Sequence, residues 1–267
     1  MGNKFTIVRQ MKTQVHKMVL RVGVLFCIIA STLGAVYPRP DAAGDTYEGI
    51  DAAIERGGNR SGAKAFFTEV EKAADTGDAK SQFMLWLLQT RKANAKDTNP
   101  AERDRLQKAA AKNLVQSANQ KYPLAESILG GQMLTPNGVG AIRMNVKAGY
   151  AFVYEAATQG CSEGMGSLAT VNEGNAALGF NPNKIEALKW RILKDRFSEE
   201  PVSAEIYVAT LQPLSPQHVA EACKLAEAFS PKQVFKGTLE LPRQRKVDYE
   251  HLKRLASKLY AVGFGVK

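Results

Sequence analysis

Histidine and cysteine, the side chains most often recruited as bases, nucleophiles and metal ligands, number only three each in this chain, and they do not gather in the sequence. Beyond the first 35 residues the histidines are His218 and His251. They fall on separate predicted helices and share no His/Cys/Asp/Glu spacing of the kind a zinc site needs. The chain is read as holding neither a nucleophile elbow nor a phosphate-cradling Gly-x-x-x-x-Gly-Lys loop. Gly138-Val139-Gly140 follows no strand and reads as turn punctuation. Glu199-Glu200 is a carboxylate pair, and two acids suffice for some glycan-cleaving enzymes. Those two abut a predicted helix start, however, where acids complement the helix dipole. The expectation is a protein with no catalytic residue, no cofactor and no bound metal.

The framework that must position any site is more legible than the site. A phrase of the form Ala-Ala-x-x-Gly, then a small residue, then Leu and another small residue, recurs at intervals near forty residues. Its clearest copy is Ala156-Ala157-Thr158-Gln159-Gly160, followed by Gly164, Leu168 and Ala169. An earlier copy runs Ala73-Ala74-Asp75-Thr76-Gly77-Asp78-Ala79, followed by Gln82 and Leu85. A looser one is Ser117-Ala118-Asn119-Gln120-Lys121, followed by Ala125, Leu129 and Gly130. Self-similarity at this period marks stacked helical hairpins. Small residues at Ala79, Ala125 and Gly164 would let neighbouring helices approach, and Phe152 and Trp190 would fill the space between hairpins.

Local signals place the helices. Ala63 to Thr76 carries an apolar stripe through Phe66, Phe67, Val70, Ala73 and Ala74, ended by Gly77. The next helix starts at Ala79 and holds six consecutive apolar residues, Phe83 to Leu88, as expected of a helix buried on more than one side. Asn99-Pro100 is a cap followed by proline at the first helical position, opening a helix to about Asn119. Pro123 opens another. Further helices are expected at Asn145–Thr158, Ser162–Val171, after the cap Asn183, and over Pro201–Leu211, Pro216–Phe229 and Asp248–Ala261, with a short one at Thr46–Glu55. Lys232 to Arg245 reads as an extended connector. No segment alternates like a strand, so the chain is expected to be all-α.

Charge is unevenly spread. The net formal charge is +10, but the first 35 residues carry five basic residues and no acid. Lys4, Arg9, Lys12, Lys17 and Arg21 precede the apolar run Val22–Val36, the pattern of a secretory signal. The expectation is export to the periplasm or beyond, the alternative being anchorage in the inner membrane by an uncleaved signal. Residues 36–230 are nearly neutral, with 22 basic against 23 acidic residues, whereas residues 231–267 hold 9 against 3. Lys232, Lys236, Arg243, Arg245, Lys246, Lys253 and Arg254 are thus the candidate contacts for an anionic partner such as an acidic protein, a glycan or lipid head groups. Nucleic acid is not an expected partner.

The repeated phrase, together with the helix Glu186-Ala187-Leu188-Lys189-Trp190 and the preceding unit Asn137-Gly138-Val139, Gly149-Tyr150-Ala151-Phe152, Ala156-Ala157, resembles Sel1-like repeats, relatives of the tetratricopeptide repeat. The resemblance covers about residues 63–196, and Leu214 to Ala222 looks like the closing helix of some bacterial proteins with these repeats. Lys121 departs from it by standing where the family prefers glycine. The resemblance implies a right-handed α/α solenoid of helical hairpins, acting as a monomeric scaffold that recognises a peptide or protein partner on its concave face. The expected map is a signal over 1–35, a linker with a short helix over 36–62, repeats over 63–196, capping helices over 197–230 and a basic tail with one helix over 231–267. Cys161 and Cys223 lie more than one repeat apart and read as two buried thiols, with a disulfide as the alternative. The cysteine pairs that mark disulfide-rich secreted relatives are missing, so their β-lactam chemistry is not carried over.

Overall fold

The computed structural model describes residues 60–136, 140–198, 202–212, 214–237, 244 and 246–260. The expected signal, residues 36–59 of the expected linker region with its Thr46–Glu55 helix, Arg243 and Arg245 lie outside the described residues, and residues 60–62 belong to the first helix.

The described residues are all-α, with ten helices. These are α1 (Arg60–Asp75), α2 (Ala79–Ala93), α3 (Pro100–Asn119), α4 (Pro123–Met133), α5 (Val146–Thr158), α6 (Ser162–Asn172), α7 (Lys184–Phe197), α8 (Ala204–Leu211), α9 (Pro216–Glu227) and α10 (Tyr249–Leu259). From α1 to α7 each helix packs chiefly on its chain neighbours, α4 also touches α6, and α9 closes the stack against α7 with α10 behind it. This is a solenoid-like stack of helical hairpins.

Capping accounts for where most helices begin. Asn99 Oδ1 accepts from the Glu102 N–H at 2.9 Å, Asn183 Oδ1 from Glu186, Ser215 Oγ from His218 and Asp248 Oδ1 from His251. Each satisfies a donor that the helix itself leaves free. The expected start of α8 at Pro201 is corrected to Ala204. Ser203 caps it, and the Val202 N–H is taken by Asp195 Oδ1 at 3.0 Å. Likewise α9 ends at Glu227 rather than Phe229, whose ring turns back onto Trp190 and Phe197 at 5.9 and 5.8 Å.

The repeated phrase is a helix-ending turn. In α1 the N–H of Asp78 reaches the Ala73 carbonyl and that of Gly77 reaches Ala74, both at 3.0 Å. The same pair of bonds closes α3, from Tyr122 to Ser117 and Lys121 to Ala118, and α5, from Cys161 to Ala156 and Gly160 to Ala157. This is the Schellman pattern, which needs a left-handed residue just past the helix. Gly77, Lys121 and Gly160 supply it, with φ of 95°, 67° and 94°. Its two acceptor positions are small, and all but the half-buried Ala73 are buried in the stack, Ala156 and Ala157 completely.

Close helix approach rests on particular pairs. A Cβ on Gly164 would lie 2.8 Å from the Ala157 nitrogen, as its expected packing role requires. Ala79 is also buried, but it stands two residues after its turn residue, whereas Ala125 and Gly164 stand four after theirs. Of the six apolar residues from Phe83 to Leu88, the first five are buried and Leu88 is half-buried. Trp190 fills its expected place at 2% exposure, met edge-on by Tyr154. Phe152 is only half-buried.

Candidate functional site

Lys232, Lys236 and Lys246 are exposed and have no ion pair among the described residues. Lys253 is paired with Glu250 at 2.8 Å, and Arg254 lies 4.0 Å from Asp248, so part of the expected basic surface is neutralised locally. Exposed pairs of this kind add little stability, but they lower the field an anionic partner would meet.

The connector expected over Lys232–Arg245 carries no helix where it is described and bends at Lys236 and Gly237, and it does not stand away from the repeats. Arg196 anchors both its ends. Its Nη1 donates to the carbonyls of Ala226 and Phe229 at 3.3 and 3.5 Å, and its Nε and Nη2 donate to Gln244 Oε1 at 2.9 and 2.6 Å. Between these anchors, residues 232–237 form a strap across the row of turns. The Lys232 N–H donates to the Thr158 carbonyl at 2.8 Å, and the Phe235 N–H donates to Gln159 Oε1 at 2.9 Å. The Phe235 ring is buried 5.4 Å from Tyr122, which meets Phe83 at the same distance, and Phe83 meets Trp86 at 5.1 Å.

Gln159, the C-cap of α5, organises the seat beneath the strap. It is 1% exposed. Its Nε2 donates to Glu126 Oε2 at 2.8 Å and to the Lys121 carbonyl at 3.3 Å. A carbonyl acceptor on one side and the Phe235 N–H donor on the other allow the amide only one orientation. The contact repeats a pattern from the preceding unit, where Gln120 Nε2 donates to Gln82 Oε1 at 2.7 Å. Gln82 and Glu126 are both the fourth residue of their helices.

Glu126 is the unusual group. Its side chain is fully buried, and Oε1 has no hydrogen-bond partner. Burial, reinforced by the neighbouring Glu155 carboxylate, raises its pKa to about 8, against the pull of Lys121 Nζ at 3.6 Å. Its carboxyl is therefore mostly protonated at neutral pH. Lys121 also bonds Glu155, which holds the Glu155 carboxylate below its ordinary range and the Lys121 ammonium above its own. Sequence reasoning passed over this cluster because Glu126 reads as an ordinary acid in the first turn of a helix.

One motif contradicts the sequence reading. Gly160-Cys161-Ser162-Glu163-Gly164 does carry the Gly-x-Ser-x-Gly spacing of a nucleophile elbow. An elbow puts its serine on a sharp strand-to-helix turn, whereas Ser162 opens α6 directly after α5. Ser162 is buried, and its Oγ bonds Glu163 Oε2 at 3.1 Å, with no histidine as partner. His218 and His251 lend backbone N–H groups to their helix caps. Cys161 and Cys223 are buried and unpaired. Burial drives the Cys161 thiol well above its ordinary range and Cys223 to about 11. No three His, Cys, Asp or Glu among the described residues gather as a metal site requires, and no helix among them is long and apolar enough to cross a membrane.

The arrangement can therefore hold a chain segment by its backbone and one ring. No family model matches the chain, and no curated protein or solved structure matches it.

Proposed function

We propose that the chain is an exported, monomeric scaffold of Sel1-like repeats that recognises a peptide or protein partner on the surface of its hairpin stack, without chemistry. The observation that carries this reading is that the repeats already hold one extended peptide. Residues 232–237 lie across the turns, fixed by main-chain bonds to Thr158 and Gln159 and by one buried ring. Stacked hairpins provide such surfaces as a consequence of their repetition.

A second reading, binding of an acidic protein or anionic glycan or lipid through the tail, draws on the exposed ammonium groups of Lys232, Lys236 and Lys246. The two are separated by retrieval of partners from envelope extract. One bait is the full chain and the other carries serine at Lys232, Lys236, Lys246, Lys253 and Arg254. A partner retained by both baits, and little weakened by salt, supports the repeat surface. A partner lost with the charges, or released by salt as screened contacts are, moves the function to the tail. No partner with either bait overturns both readings.

A further inference from the structure

We infer that the seat formed by Thr158, Gln159 and Tyr122 is a binding site for an extended peptide bearing an aromatic residue, and that the chain's own strap occupies it in place of that ligand. The inference rests on the reading of the repeats as a peptide-recognising scaffold. It places recognition on the row of turns instead of the concave face.

The acceptors of the seat exist without the strap. Gln159 is turned outward by Lys121 and Glu126, both within the repeats, so its Oε1 already points toward any incoming donor. The Thr158 carbonyl belongs to the end of α5 and has the same standing. Pre-set acceptors of this kind lower the ordering cost of binding.

What the seat reads is generic in sequence and specific in register. It takes two backbone N–H groups three residues apart, with an aromatic ring on the second. Any extended segment with an aromatic residue at that position meets these terms, because the contacts are to main chain and one ring. The ring enters an existing aromatic row of Tyr122, Phe83 and Trp86, where edge and tilted contacts favour another aromatic over an aliphatic side chain.

The strap itself is lightly held. Of Lys232 to Lys236 only Phe235 is buried, and Val234, the other large apolar residue, is 48% exposed. A segment serving only as structure would be expected to bury both. Gly237 folds beneath the Phe235 ring, where a Cβ would fall 2.5 Å from the ring edge. The strap thus presents one anchoring side chain on an otherwise solvated run, the form of a replaceable ligand.

The test uses the full chain and a fluorescein-labelled synthetic peptide of residues 230–237, read by fluorescence anisotropy. In the unaltered chain the tethered strap competes with an effective concentration on the order of millimolar. The Phe235→Ala chain should therefore bind the peptide at least tenfold more tightly than the unaltered chain. Adding Gln159→Ala should return binding to the unaltered level, and a peptide with alanine for its phenylalanine should not bind. Equal affinity in the Phe235→Ala and unaltered chains overturns the inference, as does binding indifferent to Gln159→Ala.

Helicity by circular dichroism checks that the variants fold. Should Phe235→Ala not fold, saturating the unaltered chain with peptide should strip hydrogen-exchange protection from the Phe235 N–H, and protection that persists overturns the inference. Failure of the peptide while an envelope partner is still retrieved sinks this site alone. Peptide binding without any retrieved partner sinks the scaffold reading and leaves the site.

Discussion

Gly130 of α4 and Gly149 of α5 meet backbone to backbone. A Cβ on Gly130 would lie 2.7 Å from the Gly149 carbonyl, and one on Gly149 would lie 2.9 Å from the Gly130 carbonyl. Neither obstruction is a flexible side-chain end, so relief requires the two helices to part. Gly131, the next residue of the same helix, would meet nothing within 4 Å.

Gly130→Ala should therefore destabilise the fold by about 1–3 kcal/mol, the range for overpacking a tight contact. Gly131→Ala should stabilise it by up to about 1 kcal/mol through helix propensity. Urea denaturation of the two single variants measures both. A similar loss in each would mean that α4 and α5 do not pack as closely as the structure shows.

The left-handed turn residues make a second pair of opposed expectations. Gly77 has a φ of 95° and open space around it, so Gly77→Ala isolates the cost of the backbone conformation, about 1 kcal/mol. At Lys121 the chain bears that cost itself. Lys121→Gly should be more stable than Lys121→Ala by about 1 kcal/mol, since both lose the Glu155 bond and only glycine relaxes. Thermal melts of the two Lys121 variants at one pH give the comparison directly.

Glu126 sets a pH dependence of definite sign. Its folded pKa, about 8, lies above the ordinary 4.5, so the unfolded chain sheds this proton first as pH rises. Stability is then fully present below about pH 4.5 and declines toward pH 8, a loss on the order of a few kcal/mol. Glu155, held low by its bond to Lys121, works in the opposite direction, but it is half-exposed and screened. Glu126→Gln should flatten the decline. It restores the pairing seen at Gln82, whose Nε2 finds the Ala74 carbonyl at 3.2 Å. Melting temperatures of the unaltered and Glu126→Gln chains across pH 5–9 decide it, and parallel curves would refute the assignment.

Cys161 and Cys223 should resist thiol reagents at pH 7–8 while the chain is folded, because burial keeps both thiols protonated and out of reach. Labelling with a chromogenic disulfide should follow the unfolding curve in urea. Prompt labelling of either cysteine in the native protein would show local opening near α6 or α9.

Much of the fold is legible in the sequence because its signals are local. Asn99-Pro100, Asn183 and Ser215-Pro216 mark helix starts within a residue, and the recurring Ala-Ala-x-x-Gly encodes a turn complete within six residues. Phe235 is different. Lys232, Gln233 and Lys236 surround it, the adjacent Val234 is exposed, and its burial depends on Gln159, 76 residues away, so nothing near it distinguishes it from a solvated connector. Glu126 is hidden in the same way, since its environment comes from Glu155 and Gln159 on the next hairpin. The Gly160–Gly164 match shows the converse error, because spacing alone carries no meaning where α5 stands in place of a strand.

Stacked hairpins bonded only to their neighbours can open from either end, one interface at a time. The strap changes that order of events here. Because Phe235 ties the segment after α9 to the end of α5, α9 cannot peel from α7 and draw that segment away without also uncovering Gln159 and Tyr122. While the strap is seated, the terminal helices and the middle of the array open together, and a ligand that takes its place would free the terminal helices to open on their own.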